Sequence, residues 1–257
     1  MRTSVLANKQ GILDECQNRS VNVAHVPFYY FVHLNMPCNQ RCIMCVPTGN
    51  HERDLLAFDK FLAFFDQIKP YAEHITLIGG EPLMYPWINE VLDFLAQERI
   101  TVTINTNATM LTGPVAQRLL SLHELYLKCS IDAVTRGTYY KIRGTDWFDR
   151  VTTNLRSFSD LVVDKPHLRM ELIYVVMREN LHEVLPFLDF ARPLHPASVQ
   201  FRPVRHVMDW HTTNDTGWVF DGKTQSCESF RDEYNDVMSQ AAEKCVREGI
   251  NYEVQLV

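Results

Sequence analysis

Phe28-Tyr-Tyr-Phe-Val-His-Leu34-Asn-Met-Pro-Cys38-Asn-Gln-Arg-Cys42-Ile-Met-Cys45 sets an apolar run of strand composition directly before three cysteines that fall within eight residues. The run predicts a β-strand. The Cys-x3-Cys-x2-Cys spacing that follows brings three thiolates, not four, into one loop. Structural zinc sites are closed by four protein ligands, whereas a site that does chemistry keeps a position open, and iron–sulfur clusters usually take four cysteines. A [4Fe–4S] cluster on Cys38, Cys42 and Cys45 therefore keeps one iron free for a non-protein ligand. Two other readings stand beside this one. Positions 38, 42 and 45 are also i, i+4 and i+7, the spacing of a buried stripe on a helix, although Pro37, Pro47 and Gly49 oppose a long helix. A zinc site completed by His33 or His51 is the second, without a further CxxC or HxxxH pair at customary spacing.

The 257 residues are enough to bury a full core. Charged residues at 22% and hydrophobic ones at 46% are ordinary for a soluble globular protein. A net charge of −6 gives no electrostatic reason to expect nucleic acid. No apolar run reaches the ~20 residues that span a bilayer, and Lys9 and Gln10 stand where a signal peptide needs its apolar region. A cytoplasmic location is expected, with no membrane partner and with reduced thiols. The odd cysteine count argues against a disulfide framework, and Cys16, Cys129 and Cys245 read as buried small hydrophobes.

Working outward, strand composition recurs at His74–Ile78, Ile100–Ile104, Leu125–Ile131, Leu168–Met177 and Ser198–Phe201. Helical spacing lies between them: Phe58, Phe61, Leu62, Phe65 and Ile68, then Ile88, Val91, Leu92 and Leu95, with further helices over Pro114–Ser121, Phe148–Leu161 and Leu181–Ala191. Six strand–helix units predict an α/β fold with parallel strands, as a barrel or an open sheet. The cysteine loop and Gly79-Gly80-Glu81-Pro82 each follow a strand, at the end where barrel active sites gather.

CNQRCIMC followed by LIGGEPLMYP, in that order and strand context, resembles the radical S-adenosylmethionine (radical SAM) superfamily, from about Phe28 to Val204 with a weaker tail to Val257. The resemblance implies a partial (β/α)6 TIM-like barrel with a short C-terminal helix–strand extension. It implies one [4Fe–4S] cluster on Cys38, Cys42 and Cys45 whose free iron chelates S-adenosylmethionine (SAM). Reductive cleavage of SAM would then give a 5′-deoxyadenosyl radical that abstracts a hydrogen atom from the substrate. Gly79 and Gly80 would let backbone approach the methionine moiety, and Glu81, followed by Pro82, would pair with its amino group. Glu81 also reads as a solvated acid at a helix start. Met44 matches a position packed near adenine. Asn105-Thr106-Asn107 resembles a turn beside SAM with Ala108 in place of the family's Gly; Ser130 and Asp132 resemble the ribose-contacting segment; Arg143 matches a carboxylate clamp; Val176 and Met177, followed by Asn180, match a segment near adenine. Asn107 also reads as a turn residue and Asp132 as a helix cap.

The runs YYKIRGTDWFDRVTTNL and VVMRENLHEVLPFL look most like the subgroup with a C-terminal SPASM or twitch extension. That extension holds auxiliary clusters on several more cysteines, whereas only Cys227 and Cys245 follow the sixth strand here, so one cluster is expected. The chain is expected to divide into a prefix at 1–27 over the barrel floor, a core at 28–204 and an extension at 205–257. The extension would be a truncated SPASM or twitch region with an apolar-faced helix over Ser229–Arg247. Tyr252–Val257 would either dock as an edge strand or run on into further chain. Arg202, Arg205, His206, Asp209 and His211 are candidate substrate contacts and equally a polar surface loop. The expected substrate is a small metabolite or sugar, with a peptide as the alternative and a flavodoxin or ferredoxin as reductant. The rival from another class is a non-catalytic iron–sulfur or zinc module.

Overall fold

The computed structural model describes residues 3–45, 54–205, 211–213 and 216–257. The six apolar runs form β1 (Tyr29–Asn35), β2 (His74–Gly79), β3 (Thr101–Thr106), β4 (Glu124–Ser130), β5 (Leu168–Val176) and β6 (Ser198–Pro203). Helix α1 (Thr3–Gln17) precedes β1, and α2 (Phe58–Ile68), α3 (Ile88–Leu95), α4 (Gly113–Leu119), α5 (Arg136–Arg143), α6 (Phe148–Val162) and α7 (Val184–Ala191) separate the strands. The C-terminal part adds the hairpin β7 (His211–Thr213) and β8 (Val219–Asp221), the single turn α8 (Gly222–Gln225), the long α9 (Arg231–Glu248) and β9 (Tyr252–Val254).

The large sheet runs β1-β2-β3-β4-β5-β6-β9, and every neighbouring pair is parallel. It is open, ending on β1 and β9, as a partial barrel does. The six-unit expectation is extended by one strand, because α9 carries the chain back so that Val199, Gln200 and Phe201 pair with Tyr252, Glu253 and Val254. The predicted strand over Tyr252–Val257 stops at Val254. Beyond it the chain turns onto α9, where Tyr234 donates to Gln255 O at 2.6 Å and Asn235 brackets Val257 with two hydrogen bonds. Helix α5 was not expected from periodicity. Its ends carry the local signals, a Thr135 cap accepting from Thr138 N and Gly144 at φ +70° just past the end.

One face of the sheet holds the core. Val32, Leu34, Ile75, Leu77, Val102, Ile104, Leu125 and Leu127 are buried there together with Phe61 and Phe65 of α2 and Val91, Leu92 and Leu95 of α3. Each fully buried large side chain contributes roughly 1.5–3 kcal/mol. The other face is different. Parallel strands covered on both faces read as continuous apolar runs, but β4 alternates, with Leu125, Leu127 and Cys129 buried and Glu124, Tyr126, Lys128 and Ser130 half-buried. The inner face of this partial barrel is therefore polar surface rather than packed core.

Helix α1 sits at the N-terminal ends of β1 and β2. Lys9 bridges to Glu73 at 2.6 Å and lies over the Phe28 ring, and Asn8 hydrogen-bonds the backbone of Val26. Cys129 and Cys245 are buried as expected, but Cys16 is exposed, because it falls on the solvent side of α1. No helix among the described residues is long and apolar enough to cross a membrane.

Candidate active site

The cysteine loop leaves the end of β1, and among the described residues 38–45 contain no helix, so the buried-helix reading of its spacing falls. The loop is held from both sides by backbone. At the β2 end, Gly80 N donates to Asn35 O at 2.7 Å and Glu81 N to Pro37 O at 3.0 Å. At the C-terminus of α5, Arg41 N donates to Arg143 O at 3.1 Å and Ile43 N to Ile142 O at 2.8 Å, using carbonyls that a helix end leaves free.

That close approach explains the glycines. A Cβ on Gly80 would lie 2.1 Å from Met36 O and 2.4 Å from Pro37 O, and one on Gly79 would lie 2.4 Å from Asn35 O. Gly144, at φ +70°, would place a Cβ 2.7 Å from Arg41 O. Both flanks of the loop thus need residues without side chains where they touch it. The contacts that demand Gly79 and Gly80 in the structure are with the last residue of β1 and with the start of the cysteine loop, respectively.

Glu81 is fully buried, not the solvated helix-start acid that its position also allowed. Its Oε1 accepts from Leu83 N at 3.0 Å and Thr106 Oγ1 at 2.6 Å, and its Oε2 from Asn107 N at 2.7 Å. Burial pushes its carboxyl up, opposed by these hydrogen bonds. Pro82 is buried as the first residue of the short 3-10 turn Pro82–Met84 that Glu81 caps. The turn after β3 is thereby fixed. Asn107 donates to Asn39 Oδ1 at 2.8 Å, and its Nδ2 stands 3.8 Å from Cys38 Sγ. Ala108, where the family pattern has Gly, adopts φ +59°, a left-handed conformation that costs a residue with a Cβ roughly 1–2 kcal/mol.

On the other flank Arg143 and Asp132 form a buried pair, with Nη2 2.6 Å from Oδ2. Arg143 Nε is buried without a hydrogen-bond partner. Arg143 Nη1 stands 3.5 Å from Cys42 Sγ and from Gln40 Oε1. Gln40 in turn donates to the Tyr139 hydroxyl at 2.6 Å. Asp132, at φ +59°, accepts from Val175 N at 2.7 Å, so it ties the end of β4 to β5 rather than capping a helix. Burial pushes its carboxyl up against the pull of Arg143.

The three loop thiols share one electrostatic neighbourhood. Burial pushes each up, each is raised further by another of the three, and Arg143 pulls all three down. Among the described residues no three His, Cys, Asp or Glu side chains are gathered as for a single metal ion. His33 is exposed on the inner face of β1, and His51 lies outside the described residues.

The remaining expected residues divide. Asn105 is exposed and Ser130 half-buried, both on the inner face. Val176 is fully buried in the core, and the half-buried side chain at this end of β5 is Val175. Met177 is buried with Ile43, Ile142, Val204 and Phe220 in a small second core, against which Met44, Val175 and Trp218 pack. Asn180 donates to Asp132 O and Val175 O, both at 2.9 Å. Arg202 is paired with Glu253 at 2.6 Å, Arg205 and His211 are exposed, and His206 and Asp209 lie outside the described residues. Sequence reasoning passed over Asn39, Gln40 and Tyr139, and over the β7–β8 hairpin, which covers the loop through Phe220 and a hydrogen bond from Thr212 Oγ1 to Ile43 O. Only Asn39 and Gln40 were open to notice, as polar residues between the cysteines.

The parallel open sheet sets three cysteines on the loop after its first strand, at the C-terminal end of the sheet, the strand end where active sites of α/β barrel enzymes gather. The family model of the radical SAM superfamily matches residues 37–191, and the chain belongs to that superfamily. It is a radical SAM enzyme, and its cofactors are a [4Fe–4S] cluster and SAM; the reading as a non-catalytic module falls. Among curated proteins it is 26% identical over 170 residues to an AdoMet-dependent heme synthase of Methanosarcina barkeri, covering 63% of this chain and 46% of that one. It is 28% identical over 171 residues to a probable GTP 3′,8-cyclase of Saccharolobus islandicus, covering 63% and 52%. The chain spans about half the length of these relatives. Among solved structures, Streptococcus suis SuiB bound to its precursor peptide SuiA superimposes with a TM-score of 0.71 at 15% identity, over 96% of this chain and 52% of that one. The enzyme anSMEcpe with bound AdoMet and a peptide gives 0.68 at 14% identity, over 88% and 63%. At these identities the structures speak for the fold.

Proposed function

We propose that Cys38, Cys42 and Cys45 hold the [4Fe–4S] cluster and that the enzyme abstracts a hydrogen atom from a small metabolite or sugar-type substrate. When bound, the two cofactors supply reductive cleavage of the SAM sulfonium and the abstraction that follows. The observation that carries the reading is the double anchoring of the loop: backbone hydrogen bonds seat it between Gly80–Glu81 and the end of α5, with Arg143 beside Cys42. A fixed cation next to the thiols favours their deprotonated, metal-binding form.

The donors around the loop suit SAM. A carboxylate offers about four acceptor positions; Glu81 uses three, which leaves one for the amino group. The unpartnered Nε of Arg143 suits the carboxylate of SAM. Asn107, Ser130 and Asp132 surround the ribose side, with Asp132 acting through its hold on Arg143. Met44 and the β5 end around Val176 and Met177 would hold adenine, with Val175 as the half-buried side chain available to it. Residues 28–204 form the catalytic core and 205–257 an extension whose hairpin covers the loop, after a prefix at 1–27. A flavodoxin or ferredoxin supplies the electron, in the cytoplasm. A peptide substrate is the second reading, favoured by the peptides bound to the SuiB and anSMEcpe structures.

Anaerobic reconstitution tests the reading. Iron and sulfide in equal amounts, with 5′-deoxyadenosine formed from SAM on reduction, are the expected result, both lost when the three cysteines become Ala. One tightly bound zinc without sulfide would overturn it.

A further inference from the structure

The inner face of the sheet is closely bonded near the N-terminal ends of the strands. Tyr29 bonds Thr76 at 2.9 Å, His74 bonds Thr103 at 2.7 Å, and Glu124 accepts from Thr101 at 2.9 Å and Arg169 at 2.6 Å. The Tyr29 and His74 rings stack at 4.3 Å, and the Arg169 guanidinium covers Tyr126 at 4.8 Å. The β5–β6–β9 side is bonded too: Gln200 donates to Glu171 at 3.0 Å, and Arg202 donates to Gln200 at 2.7 Å and pairs with Glu253.

The centre is not. Lys128 and Asn105 are register partners on β4 and β3, and Lys128 pairs in turn with Glu171 on β5. Among the described residues the anion paired with the Lys128 ammonium is Glu171 Oε2 at 3.6 Å, beyond a hydrogen bond, and that oxygen already accepts from Gln200. Among the described residues neither Lys128 nor Asn105 has a side-chain hydrogen-bond partner, although Lys128 is only about a third exposed. An ammonium carries three donors and an amide two more, so this spot offers five donors that no protein hydrogen bond takes up, three of them on the cation and two on the exposed Asn105. Lys128, though not Asn105, lines a cavity of about 300 Å³ whose walls also include His74, Tyr126, Glu171 and the Arg169-paired Glu124. Lys128 precedes Ser130 by two residues on the same strand face, which places it ~7 Å farther from the cysteine loop.

We propose that Lys128 and Asn105 form the substrate subsite of this enzyme and that the substrate presents an anionic oxygen group to it, a carboxylate or a phosphate. The inference rests on the catalytic reading above, and it takes Asn105 from the cofactor to the substrate. Lysine suits either anion as a compact point charge, and Asn105 completes the hydrogen bonding from the neighbouring strand. Glu171 holds the ammonium at a distance it can leave without breaking a hydrogen bond.

Calorimetric titration of the reconstituted chain with citrate and with pyrophosphate, in the presence and absence of SAM, tests this. At least one probe should bind, Lys128→Met should weaken it about ten- to a hundredfold, Lys128→Arg should retain most of it, and Glu171→Gln should strengthen it. Citrate alone assigns a carboxylate, pyrophosphate alone a phosphate, and both the shared anion chemistry. No binding of either probe, or binding that folded Lys128→Met leaves unchanged, overturns the proposal. SAM titrated into the same wild-type sample reads the cofactor site separately: anion binding without SAM binding would sink the catalytic reading and leave the subsite standing.

Discussion

Glu81 Oε2 accepts the backbone amide of Asn107 at 2.7 Å, so a buried carboxylate at the end of β2 fixes the turn at the end of β3. The same turn brings Asn107 to the sulfur of Cys38. A motif residue read as a ligand for SAM is thus also a structural tie between two strand ends, and its substitution acts on both.

That tie has a pH signature in the cofactor-free protein. Burial raises the Glu81 carboxyl above its ordinary value of 4.5, so the folded chain holds that proton more tightly than the unfolded chain does. Its contribution to stability is then complete below pH 4.5 and is lost as pH rises through the folded-state value. Glu81→Gln, which cannot ionise, should flatten part of the fall in unfolding midpoint above pH 4.5 and weaken SAM binding of the loaded enzyme by about one to two decades. Identical pH slopes in the two proteins would count against the first claim, and an unchanged SAM dissociation constant against the second.

Gly80→Ala should unseat the cysteine loop. The added methyl meets two backbone carbonyl oxygens, which cannot rotate away as a side chain can. Overpacking of this kind costs about 1–3 kcal/mol, and iron content after reconstitution should fall with it. Gly137→Ala is the contrast: its Cβ meets nothing within 4 Å in α5, and the substitution should stabilise by about 0.5–1 kcal/mol. Equal stability and equal iron in both variants would refute the close-approach account.

Arg143→Met leaves Asp132 buried without its cation. Breaking a buried pair costs about 3–5 kcal/mol, and the loss should shrink at low pH, where Asp132 takes up a proton. Adding Asp132→Asn should restore part of the stability, a coupling that a double-mutant cycle measures. Iron content reports separately on Cys42, whose sulfur Arg143 faces. Additive effects of the two substitutions would show that the pair does not act as a unit.

The fold was legible because burial follows local pattern here. Apolar strand composition marked β4, and the three-to-four spacing of Phe58, Phe61, Phe65 and Ile68 marked α2. Helix α5 was missed because Arg136–Arg143 is mostly polar, and what shapes it are its caps, Thr135 and Gly144. The cysteine spacing, with Pro37 and Pro47 beside it, pointed to a loop while leaving a helix stripe and a zinc site open, and its supports could not be read. Gln40 reaches Tyr139 across 99 residues of sequence, and Thr212 reaches Ile43 across 169. Such contacts are set by how strand ends converge. For the same reason Val176 took a place in the core while its neighbour Val175 took the half-buried one: the two faces of β5 alternate, and only the register decides which points inward.

The C-terminal cysteines bear on how many clusters the chain holds. Cys227 and Cys245 are both fully buried, and the Cys227 thiol donates to Val176 O at 3.2 Å, between β5 and the start of α9. Burial pushes Cys227 up to about 12 and Cys245 up to about 11. Metal ligation needs thiolates. Cys227 lies in the turn before α9 and Cys245 on the buried face of α9, and both belong to the apolar core that also holds Tyr234 and Met238. About four irons per chain should therefore bind, the content of one [4Fe–4S] site, and Cys227→Ala should leave that number unchanged. About eight irons, halved by Cys227→Ala, would show that this corner of the extension opens to hold a second cluster.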